Sequence, residues 1–475
     1  MRQGGKAYFA ANLVAQASAL ARYVLLARLL GPEELGLAAI LILTAQFFES
    51  ISDTGSDRFL VQDEDGDSPV MQGFVQLVLA GRGLLIAAAL CTVAVVLAGL
   101  DSMPDLRMSL VALAAAPLIG GLTHLDLRRV QRQSDFRPEG LAMMVSETLS
   151  LIATGVAAWI VRDHTAVIYG LVVRAIALVA VSHLTATRPY RWAFGRIESR
   201  RFTAFAAPLA LNGVLLFFGS QGDRLVVGGG LGAAALGHYS AVLLLVYYPA
   251  SMLTRFLAGI HMPQLAAARP SPAAFAAVRD RLGSRTLWLT CGIVAGFALV
   301  APFFTPLFYG ARFAEPFQVF ALLGVLQAAR FMRFWPTTLA VAVGRSTIVM
   351  LNNVARMVAL PVALAANLRF HALEAIVMGF IVGEVLALLV ALWLLKRAGA
   401  LDLPRELGRV GLFAMTSVAV IGAAWNLQAK LPYGVVASLA LGGAVAVALV
   451  TSERSTLAEM WGVVTRRFSR LARPL

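Results

Sequence analysis

Stretches of eighteen or more apolar residues recur along the whole chain, each parted from the next by a short break. No other feature limits the fold as strongly. Such stretches are long enough to cross a bilayer. In hydrocarbon each must satisfy every backbone N–H and C=O internally, which leaves the α-helix. Composition agrees: of 475 residues 59% are hydrophobic and 14% charged, against about half and about a quarter in soluble domains. The pattern predicts an all-α polytopic membrane protein. Its fourteen helices run near 8–30, 35–56, 74–99, 106–127, 140–161, 166–186, 203–230, 236–257, 286–306, 317–342, 347–367, 373–395, 409–427 and 433–451. The N-terminus starts basic, as a signal peptide does, but its apolar run continues past any plausible cleavage site. We read an uncleaved first helix.

The formal net charge is +14, almost all of it from arginine. In a soluble chain this would raise the question of nucleic acid. Here most basic residues occupy short connections between apolar runs, where the positive-inside rule accounts for them, and no nucleic-acid partner is expected. With both termini inside, "RRVQRQSDFR", "RPYRWAFGRIESRR" and "KRAGALDLPRELGR" fall on the cytoplasmic side, while Arg107, Arg162, Arg312, Arg369 and Lys430 fall outside. One inner connection, "DRFLVQDEDGDSPV", is acidic instead, and is expected to be a solvated loop. Cys91 and Cys291 lie inside apolar runs and read as small buried hydrophobes. No HExxH spacing or P-loop is present. No catalytic residue, metal or resident cofactor is expected.

The break in "LARLLGPEELGLAAILIL" (Leu26 to Leu43) returns in "VVGGGLGAAALGHYSAVLLL" (Val226 to Leu245). Gly31 and Gly36 align with Gly232 and Gly237 at a constant offset of 201. Gly31 suits a helix C-cap, Pro32 the first turn of the next helix, and Glu33 and Glu34 its positive end. The doubled outer turn predicts two pseudo-symmetric six-helix bundles, 1–201 and 202–400, a known transporter plan. Two further helices over 401–451 and a basic tail, 452–475, follow. The tail's apolar residues share one helical face, as in a helix lying on anionic lipid.

Three stretches, "LLARLLGPEELGLAA", "DRLVVGGGLGAAALGHYSA" and "AVAVGRSTIVMLNNVARM", resemble the polysaccharide flippase branch of the multidrug/oligosaccharidyl-lipid/polysaccharide exporter superfamily. The resemblance implies a MATE-like fold of two bundles around a central cavity. It also implies translocation of undecaprenyl-pyrophosphate-linked sugar units across a bacterial inner membrane by alternating access. The implied partners are the lipid-linked oligosaccharide, membrane lipids, a polysaccharide polymerase and a chain-length regulator, with the chain itself a monomer. Coupling to H+ or Na+ is left open.

An ionisable side chain inside a membrane span costs roughly 2.5–3.5 kcal/mol on insertion scales, so each needs a reason. Arg22 precedes Gly31 by the nine residues that separate Asp223 from Gly232. The two bundles therefore place charge at one depth, about 13 Å from the turn at 1.5 Å per residue. Arg22 and Arg224 read as a cationic patch for pyrophosphate or acidic sugar. The bland alternatives are an Arg22–Asp223 pair across the bundles, or an Asp223–Arg224 dipeptide that neutralises itself. Arg330, near mid-span with no acid on its own helix, and Arg255 complete the candidate substrate-binding set. Arg333 is expected to snorkel to the interface. Glu49, Asp53 and Asp57 recur every fourth residue, hence on one helix face, as a gate stripe with Asp223 a further cavity acid. Glu147 and Arg174, and likewise Arg356 and Glu384, come from consecutive helices at matching depth with the charges exchanged. Each reads as an ion pair clamping a hairpin, or as a coupling site.

Two other functions compete. A cation-coupled drug exporter of the same fold needs acidic sites for its cargo, and these helices carry more arginine than acid. A membrane-embedded polymerase or glycosyltransferase would be expected to present acid/base residues on a sizeable outer loop, and the outer loops are short.

Overall fold

A computed structural model describes residues 3–99, 104–133 and 135–429. The described residues are helical apart from short connections. In chain order the helices are α1 (Gln3–Leu30), α2 (Pro32–Ile51), α3 (Ser56–Gln62), α4 (Pro69–Gly99), α5 (Pro104–Leu113) and α6 (Ala115–Gly120). Next come α7 (Asp126–Arg132), α8 (Arg137–Ile160), α9 (Ala166–Leu184), α10 (Arg196–Leu231), α11 (Ala233–Ala268) and α12 (Pro272–Tyr309). The last are α13 (Phe317–Ala342), α14 (Ser346–Arg356), α15 (Ala359–Phe370), α16 (Leu373–Arg397) and α17 (Leu403–Gln428).

Among the described residues eleven spans are long and apolar enough to cross a membrane. A twelfth is α12, bent by 58° where Ala298 gives way to Ala301. Pro302 explains the bend, since its ring opposes the carbonyl four residues earlier, that of Ala298. The same argument breaks the fourth predicted helix into α5 and α6, because Pro117 stands four residues after Leu113. The predicted fourteenth helix and the basic tail lie outside the described residues.

The chain divides into two compact units, Met1–Ala241 with Phe308–Phe313, and Val242–Leu307 with Ala314–Leu475. The repeat boundary expected at 201/202 is a division of sequence, and the packing divides the chain elsewhere. Its cause lies at the doubled turn. Gly31 and Gly232 adopt φ 91° and 89°, with ψ 176° and 178°, a region open essentially to glycine alone. Each carbonyl then accepts the first bond of the following helix, from Leu35 and Leu236, both at 3.1 Å.

Beyond the turns the two copies meet. A Cβ on Gly36 would lie 1.8 Å from the Ala233 carbonyl oxygen, and one on Gly237 would lie 1.9 Å from that of Pro32. Residues 32 and 36 correspond to 233 and 237 at the repeat offset, so the contact is reciprocal. It binds α10 and the start of α11 to α2 and so draws them into the first unit. The segment 308–313 joins there too: Arg28 Nε donates to the Phe308 carbonyl at 2.6 Å, and Phe313 packs on His238.

In the second unit α13 is the most buried span. Beside it α15 and α16 approach closely through small residues. A Cβ on Gly379 or Gly383 would come within 3 Å of the Ala363 and Ala359 backbones, respectively. This is the small-residue packing by which membrane helices associate.

Candidate functional site

In the first unit the central charged group is Glu147 on α8. Arg174 of α9 donates from Nε to its Oε1 at 2.5 Å, and Arg22 of α1 reaches Oε2 at 3.3 Å. Arg22 also contacts Ser150 one turn along α8, and the Ser150 hydroxyl donates to the Gly170 carbonyl at 2.8 Å. One carboxylate thus joins three helices and carries two guanidiniums. The Arg22–Asp223 pair considered from sequence is not formed. Asp223, fully buried on α10, accepts from the Tyr239 hydroxyl at 2.7 Å. A bulky acceptor on the adjacent helix, Glu147, reaches Arg22 instead.

Arg224 differs from its neighbour. It is buried, its Nε has no hydrogen-bond partner, and it forms no ion pair among the described residues. The dipeptide therefore does not neutralise itself through the side chains. Asp223 Oδ1 takes the backbone N–H of Arg224, at 3.0 Å.

The second unit repeats the theme with more charge. Glu384 on α16, 1% exposed, accepts from Arg356 of α14 at 2.5 Å and from Arg330 and Arg333 of α13 at 3.2 and 2.9 Å. With its amide oriented to satisfy both ends, Asn352 accepts from Arg333 at 3.2 Å and donates to the Ala387 carbonyl at 2.8 Å. Three guanidiniums share one carboxylate. Arg333, expected to snorkel to the interface, is instead bound to the buried Glu384. Arg330 and Arg333 are three residues apart on one helix, hence on one face, and an acid that meets one meets the other. Arg255, on α11, is exposed and forms no ion pair among the described residues.

The acidic stripe is also corrected. Helix α2 ends at Ile51, Gly55 turns the chain at φ 63°, and Asp57 lies in the first turn of a new helix, α3. Asp53 Oδ1 accepts the Gly55 N–H at 3.0 Å, an Asx turn that competes with the helix. The three acids therefore go separate ways. Glu49 is exposed on α2 with no ion pair among the described residues. Asp57 binds Arg128, which bridges it to Glu139 on α8.

The acidic connection after α3 is largely exposed, as expected of a solvated loop, but it is also clamped within the first unit. Arg132 Nη1 donates to the carbonyls of Leu60, Val61 and Asp63 at 2.7, 3.2 and 2.5 Å, respectively. Asp63 and Asp65 bind Arg201, and Asp67 binds Arg188. Beside this clamp lies a polar knot. His124 Nδ1 accepts the Asp126 N–H at 3.1 Å and Nε2 donates to the Arg188 carbonyl at 3.0 Å, which fixes the neutral tautomer. Burial, then the facing His183, pushes the His124 imidazole below its ordinary value, against weaker opposition from the Arg188 carbonyl and Asp126. Burial opposes ionisation of Asp126, but bonds from Arg129 and Thr187 outweigh it and hold the carboxyl well below the usual range.

A base depressed in the folded state binds its proton more readily unfolded. Its stabilisation is therefore complete above about pH 6.5 and is lost as pH falls through the folded value. The Asp126 contribution has the same sign and persists to far lower pH. Thermal midpoints in detergent are expected to fall below pH 6.5, with a shallower fall in His124→Asn. An identical fall in that variant removes His124 from the account.

Solved structures share this fold. The lipid II flippase MurJ in an inward-closed conformation aligns with 95% of this chain and 99% of its own, at 12% identity and a TM-score of 0.67. An inward-facing multidrug resistance MATE family transporter aligns with 82% of this chain and 96% of its own, at 15% identity and a TM-score of 0.62. A MOP superfamily transporter from Pyrococcus furiosus, described as having a binding pocket of reversed polarity, aligns with 84% and 95%, at 14% and 0.55. No curated protein matches the chain significantly in sequence. The all-helical, multi-pass architecture is therefore MATE-like, as the resemblance implied. The polysaccharide biosynthesis protein family matches residues 25–318, more than half of the sequence, and the chain belongs to that family.

Proposed function

We propose that the protein moves undecaprenyl-pyrophosphate-linked oligosaccharide or exopolysaccharide repeat units from the cytoplasmic to the outer leaflet of a bacterial inner membrane, by alternating access. The observation that carries this reading is the surplus of guanidinium over carboxylate inside the spans. Among the described residues Arg224 has no carboxylate, and Glu384 serves three arginines. A buried cationic surplus suits a pyrophosphate, which guanidinium forks bind through paired charge-assisted bonds. Family membership supplies the polysaccharide context. In this reading both termini are cytoplasmic, and a polymerase with its chain-length regulator uses the flipped units.

A second reading, cation-coupled drug export, draws on Glu49, an exposed carboxylate on a membrane span with no ion pair among the described residues. Polymer export in cells lacking the native copy separates the two. Arg224→Ala and Arg330→Ala, expressed at wild-type level, are expected to lower export about ten-fold or more, the loss of roughly one charged hydrogen bond, while Glu49→Gln exports normally. Unchanged export in both arginine variants rejects the arginine site, and export that is as high with no copy of the gene at all rejects the flippase reading. Loss of drug efflux in Glu49→Gln, with polymer export intact throughout, supports the second.

A further inference from the structure

Between α9 and α10 the chain runs through 185–195 without regular structure, yet its backbone is pinned. The Arg191 carbonyl accepts from Gln76 at 2.9 Å, the Arg188 carbonyl from His124 at 3.0 Å, and the Thr187 N–H donates to Asp126 at 2.8 Å. Gly73 lets α4 come close: a Cβ there would stand 3.0 Å from the Arg191 carbonyl oxygen. Tyr190 packs on His124 and His183 and accepts a hydrogen bond from Trp192 Nε1 at 3.1 Å. The segment is a fixed ledge, its backbone turned inward.

The arginines of the ledge and of the first two turns of α10 fall into two groups. Arg188 and Arg201 are used by Asp67, Asp63 and Asp65. Arg191, Arg196 and Arg200 are exposed and form no ion pair among the described residues. The acid nearest them in sequence, Glu198, folds back over Gly195, where a Cβ would meet its Oε2. Interleaved with the three free cations are Trp192, Phe194 and Ile197, exposed at 58%, 77% and 72%. The ledge joins the ends of two membrane spans, Ala166–Leu184 and Arg196–Leu231.

We infer that this ledge is a built site for anionic phospholipid headgroups of the surrounding leaflet. Guanidinium forks match phosphate oxygens, and aromatic rings at span ends settle at headgroup depth. A soluble polyanion would engage the same cations but leave Trp192, Phe194 and Ile197 in water. A lipid surface covers both. From sequence alone these arginines are a topology signal. The site stands apart from the proposed transport reading and uses none of its residues.

The test uses the full chain in phosphatidylcholine nanodiscs doped with brominated phosphatidylglycerol or, separately, brominated phosphatidylcholine. The Trp192 signal is the difference between wild type and Trp192→Phe. Quenching by the anionic lipid is expected to exceed that by the zwitterionic lipid at least about two-fold, and to lose this excess at high salt. In the triple variant Arg191→Gln, Arg196→Gln, Arg200→Gln, Trp192 is expected to remain quenched, equally by both lipids. That arm also reports that the ledge is intact. Equal quenching in the wild type, or an excess that survives in the triple variant, overturns the site. So does a Trp192 signal indifferent to both lipids but altered by single-stranded RNA.

Discussion

Glu384→Gln is expected to be the most damaging single substitution in the second unit. It leaves Arg330, Arg333 and Arg356 converging on a neutral amide that accepts far less charge than it replaces. Removing one partner of a buried ion pair costs about 3–5 kcal/mol, chiefly because the other charge stays buried. Here three remain. The expected readout is a large fall in thermal midpoint in detergent, or no folded protein at all. Because loss of folding alone would be uninformative, Glu384→Gln combined with Arg356→Gln provides the second arm. It removes the shortest of the three contacts together with the acid and should recover part of the midpoint. If the single variant unfolds with the wild type, the three arginines are not held by Glu384.

Gly36→Val is expected to be nearly as costly in the first unit, for a steric reason. A Cβ at that position already falls 1.8 Å from the Ala233 carbonyl oxygen, backbone that cannot rotate away. Overpacking in a tight contact costs about 1–3 kcal/mol and occasionally more, and here two turns must separate. Gly237→Val should behave alike, because its Cβ meets the Pro32 carbonyl in the same manner. Gly229→Ala, with nothing within 4 Å of its Cβ, is the matched control and should leave the midpoint unchanged. A wild-type midpoint in Gly36→Val would mean that the turns do not touch.

Much of this architecture was legible because lipid removes alternatives. An apolar run in hydrocarbon has one regular conformation open to it, so the spans could be counted by length. The doubled glycine motif revealed the repeat, and the exchanged charges at Glu147, Arg174, Arg356 and Glu384 fell into pairs because consecutive helices are neighbours. What the sequence concealed was tertiary or very local. Asp53 and Gly55 ended α2 through a turn that overrides a four-residue periodicity. Arg132 grips main-chain carbonyls, which have no side-chain signature, so the acidic connection looked free. The motif glycines looked like simple punctuation. Gly31 is that, but Gly36 is there because another copy's backbone occupies the space a side chain would need.

The exchanged ion pairs also bear on how a duplicated chain avoids assembling wrongly. In the first repeat the acid stands on α8 and its arginine on α9. In the second the arginine stands on α14 and the acid on α16. A nascent hairpin that borrowed a helix from the other repeat would bring Glu147 against Glu384, or Arg174 against Arg356. Either mismatch buries like charges in hydrocarbon, where repulsion is least screened. Two similar halves translated in one chain are prone to such swaps. Within these two hairpins the reversal of sign matches each helix to the one from its own repeat and opposes exchange for the equivalent helix of the other.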